Sequence, residues 1–125
     1  MIRLAITIWL LVVASTAQAK HLHKEKEYQQ AWCDRYNGQT EVRLEDGTRA
    51  DCITDKYAVE FDFASKWAEG LGQALHYSDL TGKRPAVVLI IEHQNDWKHL
   101  RKLKRSAKNR AVKVWYIQPK DIGHH

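Results

Sequence analysis

The sequence predicts a three-layer α/β domain, a mixed sheet flanked by helices. Three observations carry that expectation. Helical spacing of apolar residues recurs in three segments, five short runs have strand character, and the two kinds follow the order α-β-β-β-α-β-α-β. A helix standing between a hairpin-linked strand and the continuous apolar run PAVVLIIE, 85–92, implies a right-handed crossover, so a sheet that begins antiparallel becomes mixed.

The chain of 125 residues opens with MIRLAITIWLLVVASTAQA: one Arg, an apolar stretch, then Ala17-Gln18-Ala19. That pattern predicts a secretory signal peptide over 1–19, cut after Ala19, with a retained anchor as the alternative. Residues 20–125 are then a single domain, periplasmic or secreted, without stable membrane association after cleavage. Residues 24–37 read as a helix ended by Gly38, with Tyr28, Trp32 and Tyr36 as its packing stripe. Thr40–Leu44 alternates, Asp46-Gly47 marks a hairpin turn, and Thr48–Ile53 returns as the second strand. A third strand spans Tyr57–Asp62, and a helix spans 64–80, stopped by Thr81-Gly82 with Pro85 beyond. After the buried strand 85–92, Asn95 or Asp96 caps a basic helix reaching Asn109, and Ala111–Ile117 forms the last strand.

Cys33 and Cys52 are an even pair in an exported chain, which predicts one disulfide worth about 3 kcal/mol. The formal net charge is +5 and its excess is local: KHLRKLKRSAKNRAVK, 98–113, contains no acid. Lys98, Arg101, Lys102, Lys104, Arg105 and Lys108 therefore suggest an anionic partner such as nucleic acid or a membrane surface, against the simpler reading of a solvated helix face.

Alternation in the second and third strands groups Ala50, Cys52, Val59 and Phe61 on one face and Asp51, Glu60 and Asp62 on the other, provided an even number of residues links the strands. Asp62 alternatively caps the following helix. On that helix, at 100° per residue, Gln73 and Tyr77 fall within about 20° of Lys66 and Glu69 within about 60°, a polar line opposite Trp67, Leu71 and Ala74. Converging carboxylates resist ionising together unless a cation neutralises them, and oxygen-only ligands suit Mg²⁺ or Mn²⁺. With a lysine beside the attacking water, that is equipment for hydrolysing phosphodiesters.

These residues resemble the PD-(D/E)XK nuclease superfamily, whose restriction-endonuclease-like core runs α-β-β-β-α-β, here followed by a further helix and strand. The match extends from Glu27 to Ile91. It implies Asp51 and Glu60 as metal ligands, Lys66 as a catalytic lysine displaced onto the helix, and Gln73 and Tyr77 of QALHY as substrate contacts like the Q-x-x-x-Y motif of exonuclease-like branches. Glu27 is the implied acid of the first helix, with Glu25 competing; Asp62 and Glu69 are further candidates. The departure from the family is Asp62, which occupies the usual lysine position.

His21-x-His23 and His124-His125 read as loose terminal histidines, and His76 as a neighbour of the polar line rather than a ligand. Ser65 has no interpretable histidine partner, and Gly70-Leu71-Gly72 lies within a helix, so neither a nucleophilic triad nor a phosphate-cradling loop is expected. The expected function is an exported Mg²⁺- or Mn²⁺-dependent nuclease. The rival is a non-catalytic binding or interaction module on a degenerate nuclease scaffold.

Overall fold

The computed structural model describes residues 3–9 and 20–123. Most of the expected signal peptide and the His124-His125 pair lie outside the described residues. Among the described residues no helix is long and apolar enough to cross a membrane.

The elements follow the expected order: α1 Glu25–Arg35, β1 Gln39–Arg43, β2 Arg49–Ile53, β3 Tyr57–Phe63, α2 Trp67–Thr81, β4 Arg84–Ile90, α3 Trp97–Ala107 and β5 Lys113–Ile117. Single 3₁₀ turns at Ala64–Lys66 and Gln94–Asp96 lead into α2 and α3. The five strands form one sheet in sequence order, antiparallel from β1 to β3 and parallel from β3 to β5. This is a mixed α/β sheet with three helices.

Gly47, at φ +87°, closes the β1–β2 hairpin in the left-handed region where glycine carries no Cβ penalty. Asp46 caps that turn by accepting Thr48 N–H at 3.0 Å, and its other oxygen meets His76 Nε2 of α2 at 2.7 Å. His76 is thus a tie between hairpin and helix. Gly82, also left-handed, ends α2 by donating its N–H to Ser78 O.

Helix α1 covers one face of the sheet, where Tyr28, Trp32, Val59, Phe61 and Val88 pack with the disulfide. Helices α2 and α3 cover the other, where Val87 and Leu89 of the sheet pack with Ala74 of α2 and with Leu100 and Leu103 of α3. Each such side chain, fully buried, contributes about 1.5–3 kcal/mol. Cys33 and Cys52 are bonded as expected, with Cα atoms 6.0 Å apart. Gly38 makes room for the bridge, since a Cβ there would lie 2.6 Å from each sulfur.

One strand assignment is corrected. Ala50 packs with Ala58 and Tyr77, beneath α2, rather than with Cys52 beneath α1. The regular ladder is interrupted here: Glu41, opposite Asp51, has φ +53°, and Asp51 spends its side chain on the β3 backbone.

Candidate functional site

Strands β2 and β3 pair through Cys52↔Val59 and Ile53↔Ala58; the four residues 54–57 separate the innermost pair, so the count is even and Asp51 lies on the side of Glu60. Past that point the strands part. Asp51 Oδ2 accepts the Phe61 N–H at 2.7 Å, replacing a ladder bond and holding the carboxyl inside the fork. Glu60 is 4% exposed, its neighbours across β3 being the core residues Val59 and Phe61. The charges of Asp51 and Asp62 both act on its carboxyl.

Asp62 is not a helix cap; Phe63 occupies that position in the 3₁₀ turn. Instead, the Asp62 carboxylate lies beneath α2 at Gly70, where an added Cβ would stand 2.7 Å from Oδ2. Glu60 Oε2 and Asp62 Oδ2 are both buried without a hydrogen-bond partner. Two orphaned acceptors in adjoining acids are costly, since each has given up water for nothing in return.

The electrostatics follow. Burial raises the Asp51 carboxyl to about 6 against the lowering effect of the Phe61 N–H. Burial, then the charges of Asp51 and Glu69, raise Asp62 to about 7. Burial and Asp51 drive Glu60 far above the carboxylate range. Without a cation, this trio meets neutral pH partly protonated.

The acid that α1 contributes is Glu25, not Glu27. Glu27 turns back to cap its own helix, accepting Lys24 N–H at 2.9 Å, and lies 3.3 Å from His23 Nδ1. Glu25 sits with the cluster, raised to about 7 by burial and then by Asp51 and Asp62. One turn further along α1, Gln29 is a buried amide at 4% exposure that sequence reasoning passed over. Its only sequence signal is the i, i+4 spacing from Glu25.

Lys66 ends the 3₁₀ turn before α2, exposed, and its charge lowers the carboxyls of Asp62 and Glu25. Glu69 is exposed on the first turn of α2. The expected line from Lys66 to Tyr77 is broken. The buried stripe of α2 is Gly70, Ala74 and Tyr77, at i, i+4 and i+7, and Tyr77 belongs to it rather than to the line of Lys66 and Gln73. Gln73 is exposed, whereas Tyr77 is 8% exposed, wedged against Ala50 and Ala58. Its hydroxyl is raised by burial and by the charges of Glu60, Asp51 and Asp62, which marks it as a neighbour of the cluster from the core side.

A cavity of about 600 Å³ opens at the carboxyl ends of β3 and β4, the end at which open α/β sheets receive ligands. Asp62, Glu25, Lys66, His21, Glu92 and His93 line it. Here the N-terminal histidines are corrected as well: His21 is not loose. Its ring stacks on Phe63 with centroids 3.4 Å apart, and its Nδ1 lies 2.8 Å from Glu92 Oε1. Glu92 Oε2 accepts Tyr28 O–H at 2.7 Å and Leu22 N–H at 2.8 Å. Burial would raise the Glu92 carboxyl, but these hydrogen bonds outweigh it and hold it low.

From the same rim runs α3, begun by Asp96, which accepts the N–H groups of Glu92 and His93. Leu100, Leu103 and Ala107 bury its inner side, and Lys98, Arg101, Lys102, Lys104, Arg105 and Lys108 face solvent. Among the described residues none of these six makes a salt bridge.

A divalent cation fits Asp51 and Glu60 on donor chemistry: hard oxygen ligands, one of them an orphaned buried oxygen, in a crowd of like charge. Among the described residues no three His, Cys, Asp or Glu side chains gather closely enough to enclose an ion. No protein-family model matches the chain, and no curated protein or solved structure matches it either.

Proposed function

We propose that this chain is an exported metal-dependent nuclease on a restriction-endonuclease-like scaffold, hydrolysing phosphodiester bonds of nucleic acid. The observation that carries the reading is Glu60, buried in mid-strand with Oε2 unpartnered and its carboxyl under the charges of Asp51 and Asp62. A fold does not retain such a group for stability, because an apolar residue there would avoid the desolvation cost. Element order supports the scaffold assignment, and the disulfide supports export to an oxidising compartment.

In this reading Asp51 and Glu60 hold Mg²⁺ or Mn²⁺. The ion, when bound, supplies positive charge to the phosphate and polarises water. Asp51 is fixed for its task by Phe61 N–H, and Glu60 by the walls of the sheet. Lys66, on the wall of the cavity that Asp62 lines and Asp51 and Glu60 do not, supplies an ammonium for the phosphate and the attacking water. Glu25, Asp62 and Glu69 tune the local charge. Gln73 offers an exposed amide to substrate, and Tyr77 backs the acids from the core. The cationic side of α3 guides the phosphate backbone to the rim, so affinity falls steeply with salt.

A second reading has its own observation in favour: Asp62, rather than lysine, stands two residues after Glu60. A non-catalytic binding module would keep the cation and the nucleic acid and cut nothing. Incubating the full, oxidised chain with labelled single-stranded and duplex DNA and RNA, with Mg²⁺, Mn²⁺ or EDTA, separates the two. Metal-dependent cleavage that Glu60→Gln and Asp51→Asn abolish is the expected result. Binding without cleavage favours the module, and cleavage untouched by either substitution removes the assigned chemistry.

A further inference from the structure

We infer that His21 is the general base of the site, positioned by Glu92; this rests on the nuclease reading and assigns its proton acceptor. A lysine ammonium donates hydrogen bonds but has no lone pair, so Lys66 can orient a water without taking its proton. The acids of the fork are committed elsewhere: Asp51 accepts from Phe61, and Glu60 holds its proton or a cation. His21 has what they lack.

Glu92 fixes the tautomer. Its carboxylate, with a side chain 2% exposed, takes Tyr28 O–H and Leu22 N–H on one oxygen and faces His21 Nδ1 at 2.8 Å with the other. An ionised carboxylate only accepts, so the proton of the neutral ring sits on Nδ1 and the lone pair on Nε2. The ring cannot rotate freely, because it lies flat on Phe63 at 13° between planes. Among the described residues Nε2 has no hydrogen-bond partner, and His21 lines the cavity that Asp62 and Lys66 also line. A carboxylate holding one nitrogen of a ring that lines a cavity, with the other nitrogen unpartnered, is the arrangement of a base whose orientation is set in advance.

The step balances with water alone. Nε2 takes one proton of the attacking water as its oxygen bonds to phosphorus; the bond from phosphorus to the leaving ester oxygen breaks. That oxygen takes a proton from solvent, and the imidazolium returns its own proton to solvent.

The test uses the full, oxidised chain in single-turnover cleavage of a labelled oligonucleotide with Mn²⁺. His21→Asn is expected to slow cleavage by about 10²-fold or more, with unchanged oligonucleotide affinity and a Tm lowered only by the lost stack on Phe63, and added imidazole is expected to restore part of the rate. A variant within roughly threefold of the parent overturns the assignment. So does a slow variant that imidazole does not restore, since that outcome makes His21 a structural residue. Glu60→Gln, inactive with and without imidazole, reports on the cation site separately: a parent that cleaves while Glu60→Gln cleaves equally well sinks the proposed function and spares His21. A parent that cleaves nothing sinks both. Independently of activity, ¹⁵N NMR of the neutral ring is expected to show the proton on Nδ1, and a proton on Nε2 overturns the assignment.

Discussion

Replacing Glu60 by Gln isolates the cation from the fold. Burial and Asp51 keep the Glu60 carboxyl protonated through neutral pH in the absence of metal, and glutamine copies a protonated acid in size and polarity. In EDTA the change in stability is therefore expected to stay within about 1 kcal/mol. With Mn²⁺ at about a hundred times its Kd, the parent gains about 2.7 kcal/mol by linkage, on the order of 10–15 °C in Tm for a domain of this size. Losing one of two protein ligands weakens binding by about 10²-fold or more, which leaves roughly 0.4 kcal/mol, a shift of about 2–3 °C. Differential scanning fluorimetry of parent and variant, in EDTA and across a Mn²⁺ series, reads all four states. An equal Mn²⁺ shift in both proteins refutes the role of Glu60. A loss in EDTA above about 3 kcal/mol refutes the premise that it is protonated there, since breaking a buried charge pair costs that much.

Four further outcomes are expected. In EDTA, stability declines as pH rises from about 4 to about 7: Asp51, Asp62 and Glu25 have native pKa values raised to about 6, 7 and 7, so the folded state binds more protons than the unfolded one in that window; chemical denaturation at several pH values checks the sign. Gly70→Ala sets a Cβ 2.7 Å from Asp62 Oδ2, and overpacking of about 1–3 kcal/mol outweighs a helix-propensity gain of about 1, so urea unfolding shows a net loss of about 1 kcal/mol and a weaker Mn²⁺ shift. Reducing Cys33–Cys52 lowers stability by about 3 kcal/mol in the same assay. Changing Lys98, Arg101 and Lys102 to Gln reduces the slope of log affinity against log salt by about 3 in oligonucleotide binding, with Tm unaltered.

Much of this was legible in the chain. Local periodicity and punctuation mark every strand and helix, because Asp46-Gly47, Gly82 and the run 85–92 act within a few residues of themselves. Asp51 and Glu60 were legible for the same reason: strand alternation has period two, and an acid between Val59 and Phe61 must face the other way. Rotational phase was less so. Glu25 and Glu27 differ by about 200° on a helix, and the capping bond that claims Glu27 is decided by where the helix starts. Tyr77 stands about 40° from exposed Gln73 and about 60° from buried Ala74, so helical phase alone left its side open. His21 and Glu92, 71 residues apart, meet only because α1 and β4 bring them to the same end of the sheet, and no local pattern encodes that meeting.

The parted strands β2 and β3 are proposed to hold a divalent cation between Asp51 and Glu60. Crystals of the chain grown with Mn²⁺ and measured at a wavelength where manganese scatters anomalously test it directly. An anomalous peak is expected about 2.0–2.2 Å from a carboxylate oxygen of each, completed by waters. A map with no peak at the fork, and Glu60 Oε2 still unpartnered at saturating Mn²⁺, would contradict it.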